Sequence, residues 1–175
     1  LITKNSYVAH HEHGWNGPLM MSFIFWVRNE ARFTTLLKAF RYYVLFVFVS
    51  AAMWKMARVG IFLPFQFSEI LKEQHLGDLT QHPGSTYSKM ISWIIVNADA
   101  GSWILIVATF LQLSFIVGFF TYRFDSILLW LFFAFFIGDY VLMNLSFYEW
   151  YVCAIVFLPW KNLRLDFSAH KEVVA

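Results

Sequence analysis

Four polar side chains sit where the sequence around them is almost wholly apolar, and any chemistry in this chain falls first on them. Lys55 lies in "FVFVSAAMWKMARVGIF", Gln112 in "WILIVATFLQLSFIVG", Asp139 in "WLFFAFFIGDYVLM", and Glu149 immediately precedes "WYVCAIVFLPW". A charge at the centre of a bilayer costs roughly 2.5 to 3.5 kcal/mol, so such groups pair, reach toward water or serve a ligand. Lys55 has all three roles open to it, because its four-carbon stem lets the ammonium snorkel. Asp139 is too short to snorkel far, which favours pairing. Lys55, Asp139 and Glu149 fall near the same ends of their segments and form one expected polar cluster. Gln112, with Thr109 one turn earlier on the same face, reads as an interhelical hydrogen bond or as a contact for a quinone carbonyl. Intramembrane amides more often serve packing.

Other chemistries find weaker footing. "HHEH" offers His10, Glu12 and His13, but a four-coordinate site needs further well-placed ligands, so a solvated tail and no metal are expected. The remaining histidines, His11, His75, His82 and His170, also lie outside the apolar segments, which argues against a haem clamped between spanning helices. His75 and His82 read as surface residues. The lone Cys153 excludes an intrachain disulfide or a C-x-x-C pair. Neither a glycine-rich phosphate loop nor a serine or cysteine nucleophile with a base in register is found. No catalytic residue and no firm cofactor is therefore expected, with a quinone at Gln112 as the open option.

The elements that would hold these residues follow from composition. Of 175 residues, 59% are hydrophobic and 14% charged, whereas a soluble domain has about a quarter charged; the apolar surplus is gathered in runs that approach the roughly 20 residues a spanning helix needs. The net charge of +2 comes from cations beside these runs rather than from a basic-aromatic patch, so nucleic acid is set aside as a partner. The bilayer is the expected one.

Residues 1–35 read as an N-terminal tail and an interfacial amphipathic segment ("RNEARFTTLLKAFR") following the short apolar run Leu19 to Val27. Residues 36–160 read as a membrane domain with spans at about 39–60, 102–122, 126–143 and 147–160. Residues 61–101 form a cap with two short amphipathic pieces, around Phe67 to His75 and Tyr87 to Val96, of which "MISWIIV" is able to dip into the membrane. Residues 161–175 form a C-terminal tail. Arg28, Arg32, Lys38 and Arg41 at the start of the first span, Arg123 in the "YRFD" hairpin and Lys161, Arg164 and Lys171 in the tail agree on one orientation by the positive-inside rule. The hairpin and C-terminus are then cytoplasmic and the cap extracytoplasmic. The start shows no removable signal peptide, and Leu1 in place of Met suggests a true start further upstream. The expected fold is all-α, a polytopic four-helix membrane bundle with an extracytoplasmic helical cap between the first and second spans.

The residues of this frame resemble the DoxX-like family of four-helix integral membrane proteins. The first helix, "FRYYVLFVFVSAAMWKMARVGIF", carries Arg41 near its start and Lys55 near its far end. The second, "LQLSFIVGFFTYRFD", matches at Gly118, Thr121 and Arg123, while Gln112 stands where the family pattern has glutamate, so no acid-base role is carried to that position. The resemblance covers about Leu36 to Trp160, and the long cap is distantly similar to the membrane domain of vitamin-K-dependent carboxylase-like proteins. It implies a subunit that anchors or organises a larger membrane complex of respiratory or redox type in a bacterial inner membrane. A quinone-linked or carboxylase-like enzyme and a small-molecule or ion carrier stand as the alternatives.

Overall fold

The computed structural model describes residues 16–27, 29–59, 62–63, 65–145 and 147–158, all helical apart from turns. Helix α1 covers Asn16–Phe25 and α2 covers Glu30–Trp54, the latter widening into a π-helical turn at Lys55–Val59. Cap helices α3 (Gln66–Gln81) and α4 (Thr86–Val96) follow. Helix α5 (Ala98–Leu113) tightens into a 3-10 segment at Ser114–Phe119, α6 spans Asp125–Met143, and a 3-10 helix runs over Tyr148–Phe157. Three stretches, Glu30–Ala57, Ala98–Phe119 and Asp125–Met143, are long and apolar enough to cross a membrane and mark the chain as an integral membrane protein.

The first long helix starts at Glu30, earlier than the expected boundary at Ala39. The reason is local: Asn29 is extended and its side chain accepts from the Arg32 backbone N–H at 3.2 Å, the cap that frees a helix to begin there. The amphipathic stretch is thus one continuous helix with the apolar run that follows, and it buries Phe33, Leu37 and Phe40 on one face. Helix α1 packs by Met21 and Ile24, both almost fully buried, against α2 and the 3-10 helix Tyr148–Phe157. That last helix gains reach from its winding. At about 2.0 Å per residue it covers about 20 Å, the length of about 13 residues of α-helix.

Phenylalanine dominates the bundle core. Phe48 of α2 stacks on Phe115 at 4.4 Å and meets Phe132, Phe135 and Phe136 of α6 at 5.3, 5.5 and 5.9 Å between ring centroids. Such edge-to-face and offset pairs add about 0.5 to 1.5 kcal/mol each beyond burial. Gly118 lets the second span come this close, since a β-carbon there would lie 2.5 Å from Leu45 Cδ2. A second core beneath the cap joins Phe67 and Leu71 of α3, Ile91 and Ile94 of α4 and Leu105 of α5, with Leu142 and Met143 against it. The cap is thereby built onto the ends of α5 and α6.

Candidate functional site

Lys55 occupies the first position of the π turn that ends α2, and such turns recur at functional sites because they re-aim a side chain. Its ammonium donates to Gln112 Oε1 of α5 at 2.9 Å and lies 5.3 Å from the centroid of the Phe135 ring, within cation-π range. The Asp139 carboxylate of α6 acts on it electrostatically without the close contact of a salt bridge. No hydrogen-bond donor reaches Asp139 among the described residues. Three helices therefore converge on Lys55. Gln112 and Thr109 are both buried on one face of α5, though Thr109 spends its hydroxyl on the Leu105 carbonyl of its own helix at 2.8 Å. The side chains of Glu149 and Arg58, and the residues of "HHEH", lie outside the described residues. Of the expected cluster, Lys55 and Asp139 act on each other electrostatically, and Lys55 bonds to Gln112.

A second polar centre sits about 21 Å along α2 from the first. Arg41, 2% exposed, donates Nε to Asp125 Oδ2 at 3.1 Å and Nη2 to Asp125 Oδ1 at 2.6 Å, the two-pronged geometry of a strong charge-assisted pair. Nη2 also donates to the Thr121 carbonyl at 3.0 Å, and the guanidinium lies 4.1 Å from the Tyr122 ring centroid. Nη1 is buried and finds no hydrogen-bond partner among the described residues. The hydroxyl of Tyr42, hydrogen-bonded to Tyr122, together with burial, pushes the Tyr122 phenol above its ordinary value. Of the positions carrying the family likeness, Arg41 and Thr121 meet here, while Gly118 faces Leu45 and Leu128. Arg123 is exposed, and its backbone N–H donates to Thr121 Oγ1 at 3.1 Å.

The third centre joins cap to bundle. The last carbonyls of any helix lack intrahelical partners, and α6 ends at Asn144 in the left-handed conformation, φ 50°. Gln74 of α3 donates to the Met143 carbonyl at 2.5 Å and His75 Nε2 donates to that of Leu142 at 2.8 Å. A carbonyl only accepts, so the proton of His75 is assigned to Nε2. Tyr87 stands edge-on to the imidazole, with ring centroids 5.4 Å apart. Burial, then the charge of Asp78, then Tyr140 push its phenol up. His75, expected on the surface, is 1% exposed, because it spends its polar edge on a helix terminus. Hydropathy misses such a residue.

Asp125 and Gln74 also escaped sequence reasoning. An acidic residue at the start of a helix has a sufficient local role at the positive end of the helix dipole, which hid Asp125 behind its capping value. The usable signal was parity: Arg41 enters an apolar helix, and Asp125 is the nearest acid in the hairpin expected on the same side. Comparisons with family models, with curated proteins and with solved structures find no match.

Proposed function

We propose that this chain is a DoxX-like, four-span protein of a bacterial inner membrane that anchors or organises a larger complex of respiratory or redox type. Tyr148–Phe157 serves as the short fourth crossing, α3 and α4 form an extracytoplasmic cap, and the hairpin at 120–124 and the C-terminus face the cytoplasm. The observation that carries the reading is how the chain spends its intramembrane polar groups. Arg41 is matched by Asp125 and Lys55 by Gln112, and between the two lies a plug of stacked rings centred on Phe48. A scaffold can carry such a closed interior, whereas a carrier needs an aqueous path through it.

Extraction of the native protein in mild detergent, followed by mass spectrometry of what stays bound, tests the proposal. Redox subunits in stable stoichiometry are the expected result. A lone chain would overturn it.

One observation favours a second reading. Lys55 stands at a π turn and, among the described residues, no hydrogen-bond donor reaches the nearby Asp139, so the Lys55, Gln112 and Asp139 group has acceptor capacity left for a ligand with a polar head on an apolar body, as a quinone has. On this reading Lys55→Met abolishes turnover or ligand retention while the protein remains folded. Unchanged turnover removes the residue at its centre.

A further inference from the structure

The cap presents two unlike outer faces. Helix α3 turns Glu69, Lys72 and Glu73 outward, with Lys72 Nζ bonded to Glu69 at 2.6 Å, a surface suited to water. Helix α4 is amphipathic in the opposite sense. Its inner face buries Ser88, Ile91 and Ile94, while its outer face carries Lys89 and Ser92 beside Trp93 and Val96, which are 59% and 81% exposed. Pro83, Lys89, Ser92, Trp93, Val96 and Asn97 line an open groove there.

This apolar surface does not stop at the helix end. Asn97 alone separates α4 from α5, and the outer face of α5 continues with exposed Trp103, Val107 and Phe110. Those residues belong to a stretch long and apolar enough to cross the membrane. On the other strand of the cap, where the chain leaves α2, Phe62, Leu63 and Phe65 are exposed as well. Both ends of the cap therefore show large apolar side chains where the spanning helices end.

We propose that α4 lies in the membrane interface, with Trp93 and Val96 seated at the boundary of headgroups and acyl chains, Lys89 among the lipid phosphates, and the charged face of α3 turned to water. Trp prefers this depth because its ring is apolar and its N–H needs a polar partner. Helices of this kind bury the apolar face and hold the cation in the headgroup layer. The occupant of the groove is phospholipid. This rests on the membrane-spanning reading of α5 but not on any partner subunit.

The test places single nitroxide labels on the full chain in a Cys153→Ala background, at Val96→Cys and, for comparison, at Glu73→Cys on the outer face of α3. The protein is reconstituted in vesicles of phosphatidylcholine and phosphatidylglycerol. Collision with oxygen, which concentrates in lipid, is compared with collision with a water-soluble nickel chelate. The label at Val96 is expected to show a several-fold higher oxygen-to-nickel ratio than the label at Glu73. Equal ratios would put α4 in water and overturn the proposal. Protection from both reagents would place the face against a second copy of the chain and overturn it too. Because the chain is alone in the vesicle, each outcome stands whether or not native extraction recovers partner subunits.

Discussion

Arg41 ties three parts of the bundle together through one guanidinium. It joins the first long helix to the third through Asp125, and it joins both to the hairpin through the Thr121 carbonyl. Truncating one partner of a buried ion pair strands the other charge, at a cost of about 3 to 5 kcal/mol. Arg41→Ala is therefore expected to lower unfolding free energy by about that amount in a detergent-unfolding titration, and Arg41→Met with Asp125→Leu to recover most of it. A single variant no less stable than wild type would show that the pair carries little of the fold. The identity of this residue was legible in the sequence, but its partner was not. Hydropathy and the positive-inside rule both explain an arginine at a helix start without asking what it touches, and Asp125 looks complete as a helix-start acid. Lys55 differs in that its polar neighbour Gln112 had already stood out, as an amide in an apolar run.

At the scale of elements, the cap holds to the bundle by bonds that close the end of α6. The Met143 and Leu142 carbonyls take Gln74 and His75, and a buried acceptor left without its donor costs about 1 to 3 kcal/mol. Gln74→Ala with His75→Ala is expected to speed amide hydrogen exchange in α3 and α4 while leaving the centre of α2 protected. Uniform change across the protein would mean that cap and bundle unfold as one unit. Tyr87 adds a pH dependence of defined sign. Its folded phenol holds the proton more tightly than the unfolded chain does, so stability present below about pH 10, the ordinary tyrosine value, is lost as pH rises through the folded value. Tyr87→Phe keeps the ring against His75 and should flatten that alkaline loss of melting temperature; an unaltered profile would assign the loss to other groups. The two cap helices were legible from their amphipathic spacing. Their docking was not, because it is made by side chains on the backbone of a helix distant in sequence.

For the whole molecule, the alternation of crossings makes a prediction free of any partner. In a Cys153→Ala background, a cysteine at Gly84 in the cap turn, where a side chain meets open space, and one at Arg123 in the exposed hairpin should react with membrane-impermeant maleimide from opposite sides of a sealed vesicle. Reaction from the same side would break the proposed topology. The three long helices were readable from apolar run length alone. Hydropathy does not show that the amphipathic, cation-bearing stretch is one helix with the apolar run after it; Asn29 capping starts that helix at Glu30. The length of the last helix was also hidden, because the 3-10 winding of Tyr148–Phe157 is not visible in hydropathy.

The separation of Arg41 and Asp125 along the chain, 84 residues, sets a timetable for biosynthesis. At roughly 5 to 20 residues per second the arginine emerges about 4 to 17 s before its carboxylate. For that interval the first helix enters the membrane with an unmatched cation and relies on headgroups, or on the insertion machinery, for a counter-charge. Lys55 waits a shorter time, because Gln112 leaves the ribosome before Asp125. The far end of the first helix thus finds its partner in the second helix before its near end is fixed by the third, and the order of translation becomes the order in which the helices are tied together.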